Sequence, residues 1–271
     1  MDEYLAANRS LWDAWTDLHV PSETYDLDAF RAGRDPLEPE ELAEIGDVGG
    51  RSLLHLQCHF GKETLAWARH GAVVTGVDFS PRAIAVAREL AAELDLPATF
   101  VCSAIDDLPA HLDGRFDVVY TSRGVLGWLP DLTRWAQVVA HFLAPGGTFY
   151  VEDIHPLLEV LDEDAEPPRL VPRYPYFHER EPRRFAYQGS YAAPDDPLES
   201  VEYAWMHDLG EIVGALLAAG LRVVSLREHE HLAWKFFPWM VPADDVGRFR
   251  LPEGTPRLPL SFSLRAVQDA D

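Results

Sequence analysis

From residue 51 onward, short apolar runs alternate with helix-length stretches whose apolar positions recur every three to four residues. That rhythm builds a parallel sheet covered by helices on both faces. The runs at 52–57, 72–77, 98–102, 116–120 and 148–153 read as strands, and the stretches 62–70, 81–94 and 132–143 as the helices between them. Ser80 followed by Pro81 gives the second helix an N-cap and a proline in its first turn. Pro145-Gly146-Gly147 ends the third helix and turns the chain into the fifth strand.

After Asp153 the rhythm breaks. Residues 154–200 are rich in Pro, Arg, Tyr and Glu and hold no sustained helical period, which predicts loops and a hairpin. It resumes with a helix over 207–219, a stop at Gly220, and strands over 222–227 and 260–267, seven in all. Residues 1–50, with Trp12, Trp15 and Tyr25, are expected to form helices over one end of the sheet. The expectation is thus one domain over 1–271: a helical cap (1–50), a first half (51–153), an insertion (154–206) and a segment completing the sheet (207–271).

Composition narrows the chemistry. An apolar content of 47% is ample for a packed core, and no apolar run approaches the length of a membrane span. The amino terminus begins with acids and lacks the features of a signal peptide, so a cytoplasmic location is expected. The net charge of −22 opposes nucleic acid and anionic membranes as partners, and serves equally well as a solvated, solubilising face. Cys58 and Cys102, both in apolar strand-like runs, read as inert buried thiols, too few for disulfides and without zinc-site spacing. His55 and His59 carry no carboxylate motif between them, so no metal is expected, and a monomer or a homodimer both remain open.

The segment LLHLQCHFGKETLAWARHGAVVTGVDFSPRAIAVAR, residues 53–88, carries the candidate chemistry. A buried strand, a tight turn to Gly61, a helix and a second strand ending in Asp78 would set a helix N-terminus and a carboxylate side by side at the sheet's edge. Asp78 stands where an acid accepts hydrogen bonds from the two hydroxyls of a ribose. A nicotinamide dehydrogenase would need G-x-G-x-x-G here, which Gln57, His59 and Gly61 do not supply.

This segment resembles the class I S-adenosylmethionine-dependent methyltransferases. LHLQCHFG followed by VTGVDFS is similar to a bacterial subgroup in which an altered turn replaces the usual D-x-G-x-G-x-G. The likeness extends to FDVVYTSRGVLGWLPDL, to LAPGGTFYVEDIHP, and to the C-terminal half around Trp205, His207 and LPLSFSLRA. It implies a Rossmann-like α/β fold with a seven-stranded, mostly parallel sheet, helices on both faces, an N-terminal helical lid and an insertion after the fifth strand. It implies S-adenosylmethionine as cofactor, S-adenosylhomocysteine as product and a small-molecule acceptor. Gln57, Cys58, His59 and Gly61 would surround the methionine part, and Asp78 and Phe79 would hold the ribose and flank the adenine. Ser103, Ala104 and Ile105 would lie along the adenine, with Asp106 or backbone supplying the contact that Ala104 cannot. Thr121 and Ser122 would meet the amino group. Non-catalytic binding of the cofactor, or cyclisation of its aminobutyrate arm, are the competing readings.

A methyl on sulfonium is already electrophilic, so placement and exclusion of water come first and a general base second. Candidates to polarise or deprotonate an acceptor are Glu152 and His155 at the end of the fifth strand, Arg123 after the fourth, and His207 at the resumed helix. The five arginines between 169 and 184 read chiefly as compensation for local acids, and Trp12, Trp15, Trp128, Trp205 and Trp234 as core before pocket wall.

Overall fold

The apolar runs pair into a sheet, and their order in space is what creates the site. A computed structural model describes residues 2–165, 168–244 and 247–270. In chain order the elements begin with α1 (Asp2–His19), α2 (Leu27–Arg31), α3 (Pro39–Ile45), β1 (Ser52–Leu56), α4 (Lys62–Arg69), β2 (Val73–Asp78), α5 (Pro81–Glu93) and β3 (Ala98–Cys102). There follow β4 (Phe116–Thr121), α6 (Leu132–Phe142), β5 (Leu143–Ile154), α7 (Pro156–Glu159), β6 (Arg183–Gln188) and β7 (Glu199–Ala204). The chain closes with α8 (Leu209–Ala218), β8 (Arg222–His229), β9 (Val241–Pro242), β10 (Phe249–Arg250) and β11 (Ser261–Val267).

Seven strands form one sheet in the order β3-β2-β1-β4-β5-β11-β8. The pairs from β3 to β5 are parallel, and β11 runs antiparallel to both of its neighbours. β1 is buried along Leu53–Leu56 because both faces are covered, which explains a continuous apolar run in place of alternation. On one face Leu54, Leu56, Val119 and Phe149 pack against Trp135, Val139 and Phe142 of α6 and Ile212 and Leu216 of α8. On the other, Leu53, Val74, Tyr120 and Tyr150 meet Leu65 and Trp67 of α4, Ile84 and Leu90 of α5, and Phe30 of α2.

Three expectations shift in detail. β5 begins at Leu143, with Pro145-Gly146-Gly147 inside it, because Leu143 already pairs with Phe116 ahead of a register shift. α8 begins at Leu209, capped by Asp208 accepting from the Glu211 N–H, so His207 precedes the helix. Cys102 is exposed, whereas Cys58 is buried. It ends edge strand β3, past the point where Phe100 is buried.

The insertion contains the hairpin β6–β7, and α1 is tied to it. Asn8 and Tyr203 exchange two hydrogen bonds of 2.7 and 3.0 Å, and the Trp15 indole donates to the Gly189 carbonyl at 3.1 Å. On its other side α1 docks on the start of α5, where Asp13 accepts from the Ser80 hydroxyl at 2.6 Å and the Arg82 N–H at 3.1 Å.

Candidate cofactor site

The strand order reverses direction between β1 and β4, and open α/β sheets bind ligands outside the carboxyl ends of the strands at such a switch point. The turn after β1 lies there. Gln57, His59 and Gly61 have φ of 57°, 51° and 77°, so three alternate residues adopt the left-handed backbone of a glycine-rich turn although two carry side chains. Left-handed non-glycine residues cost on the order of 1 kcal/mol or more each, and hydrogen bonds offset it. The Cys58 N–H donates to the Val77 carbonyl and the His59 N–H to Asp78 Oδ2, both at 2.8 Å, and Gln57 Nε2 donates to the Val125 carbonyl at 2.9 Å. At Gly61 no substitute fits, since a Cβ would lie 2.7 Å from the Phe100 ring.

Asp78, 7% exposed, receives the His59 N–H on Oδ2 and the Ser80 N–H on Oδ1, each at 2.8 Å. Each oxygen keeps lone-pair capacity for one more donor. Burial raises its pKa to about 6, and nearby Asp13 adds to the rise against the lowering effect of the backbone N–H groups.

Around this centre the expected residues divide. Cys58 turns its thiol into the core beneath Gly76, and Ile105 also packs into the core. Ser103 donates its backbone N–H to the Asp78 carbonyl at 2.9 Å and its hydroxyl to the Ala104 carbonyl at 2.8 Å, so the β3 end is held against the β2 end. Phe79 and Ala104 stay partly exposed, and Asp106 lies 3.6 Å from Arg134. Thr121 is buried, and the Ser122 hydroxyl bonds His55 Nε2 at 3.0 Å while His55 Nδ1 bonds Thr64 at 2.8 Å. Burial lowers the His55 pKa to about 4, so it is a neutral strut between β1, α4 and the loop after β4. Gln57 Oε1, His59 Nδ1 and Thr121 Oγ1 are buried and have no partner among the described residues. Polar atoms left unpaired beside an open carboxylate are what a polar ligand would satisfy, and this donor and acceptor set fits an amino-acid-bearing nucleoside.

Of the four candidates for acid–base work, two come together. Arg123 pairs with Glu41 and lies 3.5 Å from Glu38 and 3.6 Å from Glu152. Glu152 is 3% exposed, and burial, outweighing Arg123, raises its pKa to about 8, so it holds a proton at neutral pH. His155 instead caps α7 through Nδ1, accepting from the Leu157 N–H at 3.1 Å, while Nε2 meets Glu228 at 2.9 Å. His207 spends Nε2 on the Leu129 carbonyl at 2.7 Å and Nδ1 on Glu211 at 3.0 Å. His178, His207 and Glu211 could offer ligand atoms within 4.8 Å of one another, as could Glu38, Glu40 and His231. In the first group both His207 nitrogens are already bonded, and in the second Arg248 reaches Glu40 at 2.8 Å and His231 at 2.9 Å.

Four further residues shape this edge. Glu38, the N-cap of α3, and Glu41 in its first turn reach it, where the sequence shows only a helix start. Asp153 clamps the loop after β4 by accepting from the Gly124, Val125 and Leu126 N–H groups. His19 extends the Trp12, Trp15, His19 stripe of α1, a helical spacing visible in the chain, and Trp12 lies 5.0 Å from His59 and 5.2 Å from Trp128 between ring centres. Trp15 and Trp205 are buried. Two of the insertion arginines meet local partners: Arg173 pairs with Asp162 at 2.8 Å, and Arg183 lies over Tyr174.

Residues 53–147 match the family model described as a methyltransferase domain. That match spans β1 to the start of β5, including the turn and Asp78. Among curated proteins, a ubiquinone biosynthesis O-methyltransferase of Xylella fastidiosa is 30% identical over 146 residues, 54% of this chain and 56% of that protein. A second, from Chromobacterium violaceum, is 27% identical over 121 residues, 45% of this chain and 52% of that protein. The chain therefore spans about half the length of these relatives. Among solved structures, an S-adenosylmethionine-dependent methyltransferase from Mesorhizobium loti superposes with a TM-score of 0.59 at 22% identity, over 87% of this chain and 99% of that one. One from Listeria monocytogenes gives 0.58 at 19% identity, over 89% and 99%. The sheet is thus the Rossmann-like fold of the class I methyltransferases, mixed in direction through its antiparallel last strand.

Proposed function

We propose that the protein binds S-adenosylmethionine and transfers its methyl group to a small-molecule acceptor. The observation that carries this reading is the turn at 57, 59 and 61, whose backbone has glycine-loop geometry and whose His59 N–H lies 2.8 Å from Asp78 Oδ2. The methyltransferase-domain match over the same residues supports it, as do the curated relatives, whose names specify a small-molecule methylation.

In this reading Asp78 receives the ribose hydroxyls, while Phe79, Ser103 and Ala104 border the adenine. Gln57, His59, Thr121 and Ser122 face the methionine part, with backbone alone contributed by Cys58. The bound cofactor supplies an electrophilic methyl on sulfur. The chain's own contribution is to orient the acceptor and exclude water, for which Trp12 lies over the turn with Trp128 against it, and α1 is pinned between the hairpin and α5. Arg123 and Glu152, at the ends of β4 and β5, are the polar pair available to orient an acceptor. His155 and His207 serve as cap and loop anchor. Residues 1–50 and 154–206 then act together as the cover over a single domain.

Calorimetry with S-adenosylmethionine and S-adenosylhomocysteine tests the binding. Product analysis after incubation with methyl-labelled cofactor and an acceptor panel tests the reaction. S-adenosylhomocysteine with a labelled acceptor supports transfer; methylthioadenosine points to cyclisation of the side arm; tight binding without turnover points to a binding protein.

A further inference from the structure

Three acceptor atoms converge on one nitrogen of Arg248, and that nitrogen cannot serve them all. Nη1 of Arg248 lies 2.8 Å from Glu40 Oε1, 2.9 Å from His231 Nε2 and 3.6 Å from Glu38 Oε2. It carries two hydrogens, and a guanidinium only donates. One hydrogen goes to Glu40 and the other to His231, so His231 presents the lone pair of Nε2 and keeps its proton on Nδ1. Glu38 Oε2, in a residue only 7% exposed, is left without a hydrogen bond among the described residues, and so is Glu40 Oε2.

Distant parts of the chain build this niche. Glu38 caps α3 and Glu40 lies in its first turn, His231 stands two residues past β8, and Arg248 directly precedes β10. Leu232 and Phe249 exchange backbone hydrogen bonds of 2.9 and 2.8 Å, which fix the main chain beside His231 and Arg248 whatever the arginine side chain does. The guanidinium also has an anchor on its own segment, since Nε donates to Asp244 Oδ2 at 2.6 Å. Moving Nη1 out of the niche therefore leaves both the backbone pairing and the Asp244 contact available. Glu40, His231 and Arg248 are each partly exposed, so an ion has a way in from solvent.

We propose that Glu38, Glu40 and His231 form a divalent-cation site suited to Zn2+, in which the ion takes the place of Nη1 of Arg248. Two carboxylates and an imidazole lone pair are an acceptor-only set with two negative charges. One guanidinium neutralises half of that charge, and a divalent ion neutralises all of it. Mixed nitrogen and oxygen ligands suit zinc, whereas magnesium and calcium favour oxygen alone. Ligand atoms around tetrahedral zinc lie about 3.4 Å apart. Glu38 Oε2 and His231 Nε2 are already 3.8 Å apart, and all three residues offer atoms within 4.8 Å of one another, so side-chain rotations close the remainder and water completes the shell. Such an ion would staple α3 to the segment between β8 and β11. It would also draw on the carboxylate whose Oε1 lies 3.5 Å from Arg123 Nε, which links the site to the polar group after β4. The inference is independent of the methyltransferase reading.

Titration calorimetry with Zn2+ on the untagged full chain tests this, with circular dichroism checking the fold of each variant. The wild type is expected to bind zinc at the niche, and Mg2+ far more weakly. His231→Gln and Glu40→Gln should each weaken zinc binding by at least the roughly 10- to 100-fold that loss of a residue behind a ligand costs. Arg248→Met, with Arg248→Gln as the milder variant, should do the reverse and tighten it by about tenfold or more, because the resident cation no longer competes. His178→Asn, in the other cluster of potential ligands, should leave the affinity unchanged. Co2+ gives a second reading, since its visible absorption should intensify on binding to the wild type and not to His231→Gln. A wild type that binds no zinc, or binds Mg2+ as tightly, overturns the proposal. So does zinc binding that survives His231→Gln, that is lost in His178→Asn, or that is no tighter without Arg248.

Discussion

The backbone N–H of His59 and the carboxylate of Asp78 meet at 2.8 Å across the gap between the first and second strands of the sheet. The contact holds a left-handed residue in place and aims a buried acid at the mouth of the turn. One hydrogen bond thus serves both the strained loop and the buried charge, beside those from Cys58, Gln57 and Ser80.

Replacing Asp78 with Asn is expected to weaken S-adenosylmethionine binding by about 2–4 kcal/mol, roughly 30- to 1,000-fold, because hydrogen bonds to a charged acceptor become bonds to a neutral amide. Titration calorimetry reads the affinity, and circular dichroism checks that the fold persists. An affinity within threefold of wild type would remove Asp78 from the ribose site.

The pH dependence of binding carries a sign. Burial raises the Asp78 pKa from 3.8 to about 6, and hydroxyl donors favour the ionised form, so affinity should be flat above pH 7 and fall about tenfold per unit well below pH 6. For folding the same shift acts oppositely. The contribution of this group to stability is fully present below the unfolded value and is lost as pH rises through about 6. Calorimetry at pH 5 and 7 separates the two, and affinity that improves on acidification contradicts the assignment.

Arg123 is the cation among Glu38, Glu41 and Glu152. Arg123→Met should destabilise the protein by about 3–5 kcal/mol, since it leaves buried carboxylates without their partner. Glu152→Gln should be nearly neutral at pH 6, where Glu152 already holds a proton. The wild type loses stability as pH rises from about 4.5 through about 8 on account of this group, so the Gln variant should be the more stable protein at pH 9. Thermal melts at both values decide it; an unchanged difference between pH 6 and 9 counts against a raised Glu152.

Gly61→Ala should cost about 2–4 kcal/mol, because the added Cβ meets the Phe100 ring at 2.7 Å in a backbone with φ of 77°. Denaturant unfolding measures the loss. An unfolding midpoint equal to wild type would mean that the turn relaxes freely.

All seven strands of the sheet and the helices between them were legible in the alternation of apolar runs with helical stretches. Burial on two faces makes strands such as β1 continuous in hydrophobicity, and Ser80-Pro81 marks a helix start without reference to anything distant. The turn was only half legible: Gly61 and Asp78 stand out by position, while Gln57 and His59 conceal a glycine-like backbone that their side-chain identities argue against. Distant partners decided the remainder. His155 and His207 looked like chemistry at strand and helix ends, but Leu157, Glu228, Leu129 and Glu211 occupy their nitrogens.

The chain's own pattern therefore determined the layered fold and marked the turn and the acid at the sheet's edge, because periodicity and capping are properties of neighbours in sequence, whereas the strand order that makes a switch point there is tertiary. Only the tertiary structure decided which polar groups are spent and which are left facing the site. Glu38 and Glu41 reach Arg123 from 82 to 85 residues away, and His19 finds His59 across 40. Such pairings follow from how α1 and α3 dock on the sheet, and docking is set by buried area and hydrogen-bond satisfaction summed over the whole molecule.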